Sequence, residues 1–129
     1  MTTKKVLIID DEVEVCQSLG VLLDARFKVN LDFAHDIKEG QEALSKGPFD
    51  LIICDYNLPH GNGARLLYDA VQDEDTAWLK ETTIIFISGI RYIEMAPDLK
   101  LMDEFDNCHL RNKPILSDDL FQLAEGSLS

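Results

Sequence analysis

Asp10, Asp11 and Glu12 follow directly on an apolar run in "VLIIDDEVEV", residues 6 to 15, and no basic residue stands beside them. Asp55 follows a second such run in "LIICDYNLPHGNG", Ser88 and Gly89 follow a third in "IIFISGI", and Lys113 comes soon after a shorter one in "HLRNKPI". At an effective dielectric near 20, two unit charges ~4 Å apart repel by ~4 kcal/mol. A trio formed by Asp10, Asp11 and Asp55 would therefore have to take up protons or hold a cation. A divalent cation is the simpler solution, and an all-oxygen ligand set favours Mg2+ or Mn2+ over zinc. Such a site leaves room for phosphate. Ser88 offers a hydroxyl donor, Gly89 leaves space for a phosphoryl oxygen, and Lys113 brings an ammonium. Around one carboxylate these groups stabilise charge on a transferring phosphoryl group, with Asp55 as nucleophile.

That chemistry requires the residues to meet, so the elements that carry them come next. The runs 6–9, 51–54 and 84–87 are continuous rather than alternating, as strands covered on both faces must be. Residues 28–33 alternate Val29, Leu31 and Phe33 with polar neighbours, and the apolar stretch at 108–110 is brief, so both suit sheet edges. Between them lie helical patterns. Val13, Cys16, Leu19, Leu22 and Leu23 share one face, and Asp36 with Glu39 resembles a capping box for a helix stopping at Gly47-Pro48. Leu66, Leu67 and Val71 mark a third helix, ended or flanked by Asp73, Glu74 and Asp75. Pro97 suits the first turn of a short fourth helix holding Leu99, Met102 and Phe105, and Ser117 suits the N-cap of the last. The alternation predicts an α/β fold of the flavodoxin-like (βα)5 kind, a doubly wound parallel five-stranded sheet. With the edge-like strands outermost, the order 2-1-3-4-5 makes the first and third strands neighbours, and sites lie beyond the carboxyl ends of the strands. Asp10, Asp11 and Asp55 then converge on one crevice, whereas Asp50 stands at the opposite end as a solvated strand-entry charge.

Composition narrows the function further. At 129 residues the chain is the size of one domain, 1–129, with no linker, no repeat and no output domain expected within it. Twelve basic and twenty-four acidic residues give a net charge of −12, with the cations scattered. Direct nucleic-acid binding and an anionic membrane surface are both disfavoured. No apolar run approaches the ~18–20 residues of a membrane span, and the short segment after "MTTKK" is no secretion signal, which predicts a cytoplasmic protein. Cys16, Cys54 and Cys108 lack CxxC spacing and read as buried free thiols.

Each motif alone has a commonplace reading, since acidic pairs cap helices and Lys-Pro is common in loops. Four strand ends each carrying the needed group are harder to ascribe to chance. The set resembles the receiver domain of two-component response regulators over nearly the whole chain. The match rests on Asp10-Asp11, on Asp55-Tyr56-Asn57-Leu58-Pro59 with Gly63, on Ser88-Gly89 and on Lys113-Pro114. The 2-1-3-4-5 order is also that of the chemotaxis member of this family, so the topology is in part supplied by the resemblance. The resemblance implies that a phosphohistidine on a sensor histidine kinase, or on a histidine phosphotransfer protein, donates to Asp55. It implies Mg2+ held by Asp11, Asp55 and the main-chain carbonyl of Asn57, with Asp10 acting through water. Ser88 and Lys113 would bind the phosphoryl oxygens, and the Lys113-Pro114 bond would be cis. Such a domain transfers the phosphoryl group to itself, loses it slowly, turns over no external substrate and signals to a downstream protein.

The chain also departs from the pattern. The family usually places Tyr or Phe three residues before the active-site Lys, where this chain has Leu110, so the switch set of Ser88, Gly89, Leu110 and Pro114 lacks its ring. The segment after Ser88 is long, which predicts a loop over residues 89–96 as the moving element. Ile90 offers no hydrogen bond to an attacking water, which predicts slow loss of the phosphoryl group. The stretch "QDEDTAWLKE" reads as an insertion in which Trp78 packs. Of His35, His60 and His109, only His60 falls near the expected site, and it reads as a solvated loop residue. Two other functions compete. A haloacid-dehalogenase-like phosphohydrolase also uses an Asp nucleophile and Mg2+, but it needs an acid where Asn57 stands. A phosphorylation-independent interaction module would not need the full acidic, hydroxyl and ammonium set.

Overall fold

The computed structural model describes residues 2–89 and 92–129, with the backbone alone for residues 92–97. Strands β1 (Lys4–Ile9), β2 (Val29–Ala34), β3 (Leu51–Asp55), β6 (Thr83–Ser88) and β7 (Asn107–Asn112) form one sheet in the order β2-β1-β3-β6-β7, every pair parallel. This is the expected 2-1-3-4-5 arrangement. Between β3 and β6 the chain adds a small antiparallel hairpin, β4 (Asn57–Leu58) with β5 (Gly61–Asn62). Helices α1 (Val13–Arg26), α2 (Ile37–Leu44), α3 (Gly63–Val71) and α4 (Ser117–Leu128) cover the sheet together with two 3-10 helices, Glu74–Glu81 and Tyr92–Glu104.

The continuous apolar runs are explained by two cores. Leu7, Ile9, Ile52, Cys54, Ile84 and Phe86 point to the side covered by α2 and α3. Val6, Ile8, Leu51, Ile53, Ile85 and Ile87 point to the side covered by α1 and α4. Successive strand residues face opposite ways, so burial on both faces leaves no place for a polar residue.

Several local expectations need correction. Val13 is largely exposed, and the buried face of α1 is Cys16, Leu19, Gly20 and Leu23. Ser117 is the first helical residue of α4 rather than its cap; Leu116 holds the cap position without a side-chain bond. The fourth helix is 3-10 and begins at Tyr92, so residues 92–96 are helical and Pro97 is internal. Pro97 has no N–H to donate in mid-segment, which a regular α-helix tolerates poorly. Ile90 lies outside the described residues. The predicted insertion is the other 3-10 helix, opened by Asp73, whose side chain accepts from Asp75 N, and Trp78 packs 5.9 Å from the ring of Phe49. The cap of α2 is half as expected. Asp36 accepts from Glu39 N at 2.7 Å, but the Glu39 carboxylate accepts from His35 N one residue upstream of the cap.

Candidate functional site

The parallel register carries the site. Ile9 pairs with Cys54 across β1 and β3, so Asp10 and Asp55, each one residue on, end neighbouring strands together. Asp55 in turn pairs with Ile87, which sets Ser88 just beyond it and opposite Asn112 of β7. Lys113 N donates to Ser88 O at 2.8 Å, fixing the start of the Lys113 side chain at the same edge. The Lys113-Pro114 bond is cis, as the resemblance implied. Asp11, Glu12, Asp55, Asn57, Leu58, Pro59, Gly89 and Lys113 line one open cleft at the carboxyl ends of the strands.

Within it a single ammonium serves three carboxylates. Lys113 Nζ lies 2.9 Å from Asp55 Oδ2, 2.9 Å from Asp10 Oδ2 and 3.0 Å from Glu12 Oε1. The contact to Asp10 is one of charge alone, because Asp10 Oδ2 is fully buried and has no directed hydrogen bond. The other oxygens are better placed: Asp10 Oδ1 accepts from Glu12 N at 2.9 Å, and Asp55 Oδ1 accepts from Asn57 N at 3.1 Å. Burial pushes the Asp55 carboxyl up to about 6, with the charge of Asp10 adding to it and the hydrogen bond from Lys113 opposing it. Burial works against the Lys113 ammonium, but its contacts with the Asp55, Asp10 and Glu12 carboxylates outweigh that and hold its pKa above the ordinary lysine range.

Carboxylate oxygens of Asp10, Asp11, Glu12 and Asp55 all lie within 4.8 Å of one another. A buried carboxylate oxygen without a directed partner, beside an all-oxygen cluster, fits a hard divalent cation. The structure thus brings Asp10, Asp11, Asp55, Asn57, Gly89 and Lys113 to one cleft, with buried Ser88 at the neighbouring strand end. A Cβ on Gly89 would meet nothing within 4 Å, so the glycine borders open space. Gly63 has a stricter reason. A Cβ there would lie 2.3 Å from the Asp55 carbonyl oxygen and 2.4 Å from Cys54 Sγ, so only glycine lets α3 start against the Asp55 backbone. Leu110 stands apart, half-buried in β7 and packed against the core on the α2 and α3 side.

Two contributors escape a reading of the sequence. Glu12 joins the carboxylates around Lys113, which its place third in the acidic run could have suggested. His35 is the second: its Nδ1 lies 3.0 Å from the Asp10 carbonyl oxygen, which also accepts from Cys16 Sγ at 3.4 Å. The expectation that only His60 falls near the site is therefore wrong. Ile9 pairs with Ala34, so His35 ends β2 just as Asp10 ends β1, and that strand-end position was the available signal. His60 is exposed in the hairpin turn with φ 65°. His109 sits in β7 and contacts Asn107 Oδ1 at 2.7 Å.

Comparison with known proteins agrees with this geometry. A model of the response regulator receiver domain family matches residues 6–124. The response regulator protein PilR of Pseudomonas aeruginosa is 39% identical over 67 residues, which are 52% of this chain and 15% of that relative, so the chain spans a small part of its length. Among solved structures, the chemotaxis response regulator CheY4 of Vibrio cholerae aligns with a TM-score of 0.79 at 22% identity, over 98% of this chain and 100% of that one. A CheY-like receiver domain protein from Methanospirillum hungatei aligns with a TM-score of 0.78 at 22% identity, over 97% and 93%. The structural matches speak for the fold, and the family match over most of the sequence carries the assignment: this chain belongs to the response regulator receiver domain family.

Proposed function

We propose that the chain is a phosphorylation-operated switch in which Asp55 accepts a phosphoryl group from a phosphohistidine of a sensor histidine kinase or a histidine phosphotransfer protein. The observation that carries this is the burial of Asp55 at the floor of an open cleft, 2.9 Å from the Lys113 ammonium. A carboxylate oxygen of Asp55 attacks phosphorus, the P–N bond to the donor imidazole breaks, and the nitrogen keeps the bonding pair and takes a proton. The product is an acyl phosphate on Asp55. Lys113 already touches the acceptor oxygen, so it can follow the charge onto the phosphoryl group, and Ser88 at the adjoining strand end supplies a hydroxyl. Asp11, Asp55 and the Asn57 carbonyl would hold Mg2+, or Mn2+ in its place, with Asp10 acting through water. When bound, the cation neutralises charge on the phosphoryl oxygens and the carboxylates around them.

With the acceptor pKa near 6, Asp55 is predominantly the nucleophilic carboxylate at neutral pH. Asn57 carries an amide where a phosphohydrolase of the haloacid dehalogenase kind needs an acid, which favours a stored phosphoryl group over turnover of a substrate. Signalling to a downstream protein partner completes the proposal. The test is acetyl phosphate with Mg2+, followed by intact-mass measurement. A single phosphate adduct on the wild type that is absent from Asp55→Asn is expected; an adduct of equal yield on that variant would move the acceptor elsewhere. No adduct on the wild type would leave the interaction module as the better reading.

A further inference from the structure

Tyr56 follows the acceptor directly, yet its side chain faces away from the cleft. The ring is buried, and its hydroxyl donates to Asp98 Oδ2 on the 3-10 helix Tyr92–Glu104. The same carboxylate oxygen accepts from Asn62 Nδ2 at 3.4 Å, a weaker contact. Asn62 is the N-cap of α3, its Oδ1 accepting from Arg65 N at 2.8 Å. Asp98 therefore holds Tyr56, just before the β4–β5 hairpin, and Asn62 at the hairpin's end. Tyr56 is tied on its other side too: its N–H donates to Ile87 O at 2.8 Å and its carbonyl accepts from Gly63 N at 2.7 Å. One residue thus joins the acceptor, the end of β6, the start of α3 and the helix after β6.

We propose that Asp98 is a latch: bound to Tyr56 and Asn62 it couples the acceptor loop to the 3-10 helix Tyr92–Glu104 while Asp55 is unmodified, and it lets that helix go when Asp55 is phosphorylated. This rests on Asp55 being the acceptor. A phosphoryl group on Asp55 adds roughly −1.5 to −2 charge in the cleft, at the edge where β6 ends. Any shift of the β6 end towards the phosphoryl oxygens also moves Ile87, from which the Tyr56 amide hangs. Burial, with the Asp98 carboxylate adding to it, pushes the Tyr56 hydroxyl up to about 12, so it remains a donor at neutral pH. A hydrogen bond to a charged group is among the stronger ones, so its loss is felt. The latch occupies the functional place that Leu110 leaves open, since Leu110 has no polar tip to exchange between two partners.

Linkage makes the idea testable without knowing the downstream partner. A contact that favours the unmodified state opposes phosphorylation, and removing it must raise affinity for a phosphoryl mimic. Beryllofluoride with Mg2+ is titrated onto wild type, Tyr56→Phe, Asp98→Ala and the double variant. Each single variant is expected to bind about fivefold more tightly, and the double no more tightly than the better single, because both singles break the same Tyr56–Asp98 contact. Tyr56→Phe keeps the buried ring, so the result does not depend on Asp98→Ala alone. Amide exchange across residues 98–105 should rise with beryllofluoride in the wild type and stand already raised in the variants. Wild-type affinity in both single variants, or additive effects in the double, would overturn the latch. Failure of the wild type itself to bind beryllofluoride would instead overturn the acceptor reading.

Discussion

The two ends of β1 and β3 carry the same kinds of charge and treat them in opposite ways. At the entry end, Asp50 Oδ2 accepts from Lys5 N at 2.8 Å. Lys5 Nζ donates to the Lys46 carbonyl at 2.7 Å and lies 4.8 Å from the centre of the Phe49 ring. Asp50 and Lys5 thus each have a partner of their own. At the exit end, one ammonium is divided among Asp10, Glu12 and Asp55, and a buried oxygen of Asp10 lacks a directed bond. The entry end is a finished structure. The exit end is short of positive charge, and that shortage suits it to take up a cation.

Removing the cation at each end should expose the difference most strongly. Lys113→Ala leaves three clustered carboxylates without their common partner, one of them fully buried, and is expected to destabilise the metal-free protein by about 3 kcal/mol at neutral pH. Lys5→Ala gives up a half-exposed contact and is expected to cost less than about 1 kcal/mol. Urea unfolding in the presence of a chelator measures both. Equal costs would mean that the exit end is no more strained than the entry end.

A divalent cation should repair one end and ignore the other. Binding to the folded state alone stabilises by about 2.7 kcal/mol at a concentration one hundred times the dissociation constant. Mg2+ is therefore expected to raise the melting temperature of the wild type and of Asp50→Asn alike, and to lose that effect in Asp11→Asn and Asp55→Asn. Mn2+ should substitute, since both are hard cations that accept oxygen ligands. A thermal shift that survives in Asp11→Asn and Asp55→Asn would place the cation outside this cleft.

Proton uptake gives a smaller effect with a definite sign. The Asp55 carboxyl titrates near 6 in the fold against 3.8 for the free side chain, so the folded state binds this proton more tightly. Its stabilising contribution is present at low pH and is lost as pH rises through about 6. Without metal, the stability of wild type relative to Asp55→Asn should thus fall by about 1 kcal/mol between pH 5 and pH 7.5, because each tenfold difference in proton affinity between folded and unfolded chain is worth ~1.4 kcal/mol. A difference that stays constant across that range would mean that burial does not hold the acceptor proton.

The contrast between the ends is only partly legible in the chain. Continuous runs such as Ile84 to Ile87 announce strands covered on both faces, and the residue type at each strand end announces the chemistry; with the sheet order that the family resemblance in part supplies, the meeting of Asp10, Asp55 and Lys113 follows. Partners set by register are less visible. His35 reaches the Asp10 carbonyl only because β2 and β1 end level, and Glu12 reaches Lys113 across 101 residues of sequence. The 3-10 helix Tyr92–Glu104 reads in the sequence as a loop leading to a helix at Pro97, because "YIEMAPDLKLMDE" has no clean 3.6-residue apolar period to outweigh the proline. No motif in the sequence singles out the carboxylate of Asp98. Asp50 stands at the expected end, yet its role is to receive the Lys5 amide rather than simply to face water.

The smallest expected effect reads both ends in one sample. Trp78 belongs to the entry end: it packs on Phe49, and a Cβ on Gly47 would strike its ring at 2.1 Å, so the indole is wedged between the α2–β3 connection and the strand entry. Tyr56 belongs to the exit end, joined to Asp55 and hydrogen-bonded to Asp98. Charge effects on exposed groups are screened within about 10 Å at 0.1 M salt, so a cation bound among Asp10, Asp11 and Asp55 acts on Tyr56 and leaves Trp78 largely untouched. Mg2+ is accordingly expected to give a saturable change in the tyrosine near-ultraviolet signal and less than about a tenth as large a relative change in tryptophan emission. Tyr56→Phe should remove most of the tyrosine change while Trp78 emission stays constant, which also separates Tyr56 from Tyr68 and Tyr92. Strong tryptophan quenching that saturates with Mg2+ and persists equally in Asp11→Asn and Asp55→Asn would show that the entry end also takes up the cation, and the two ends would then not differ as their carboxylates suggest.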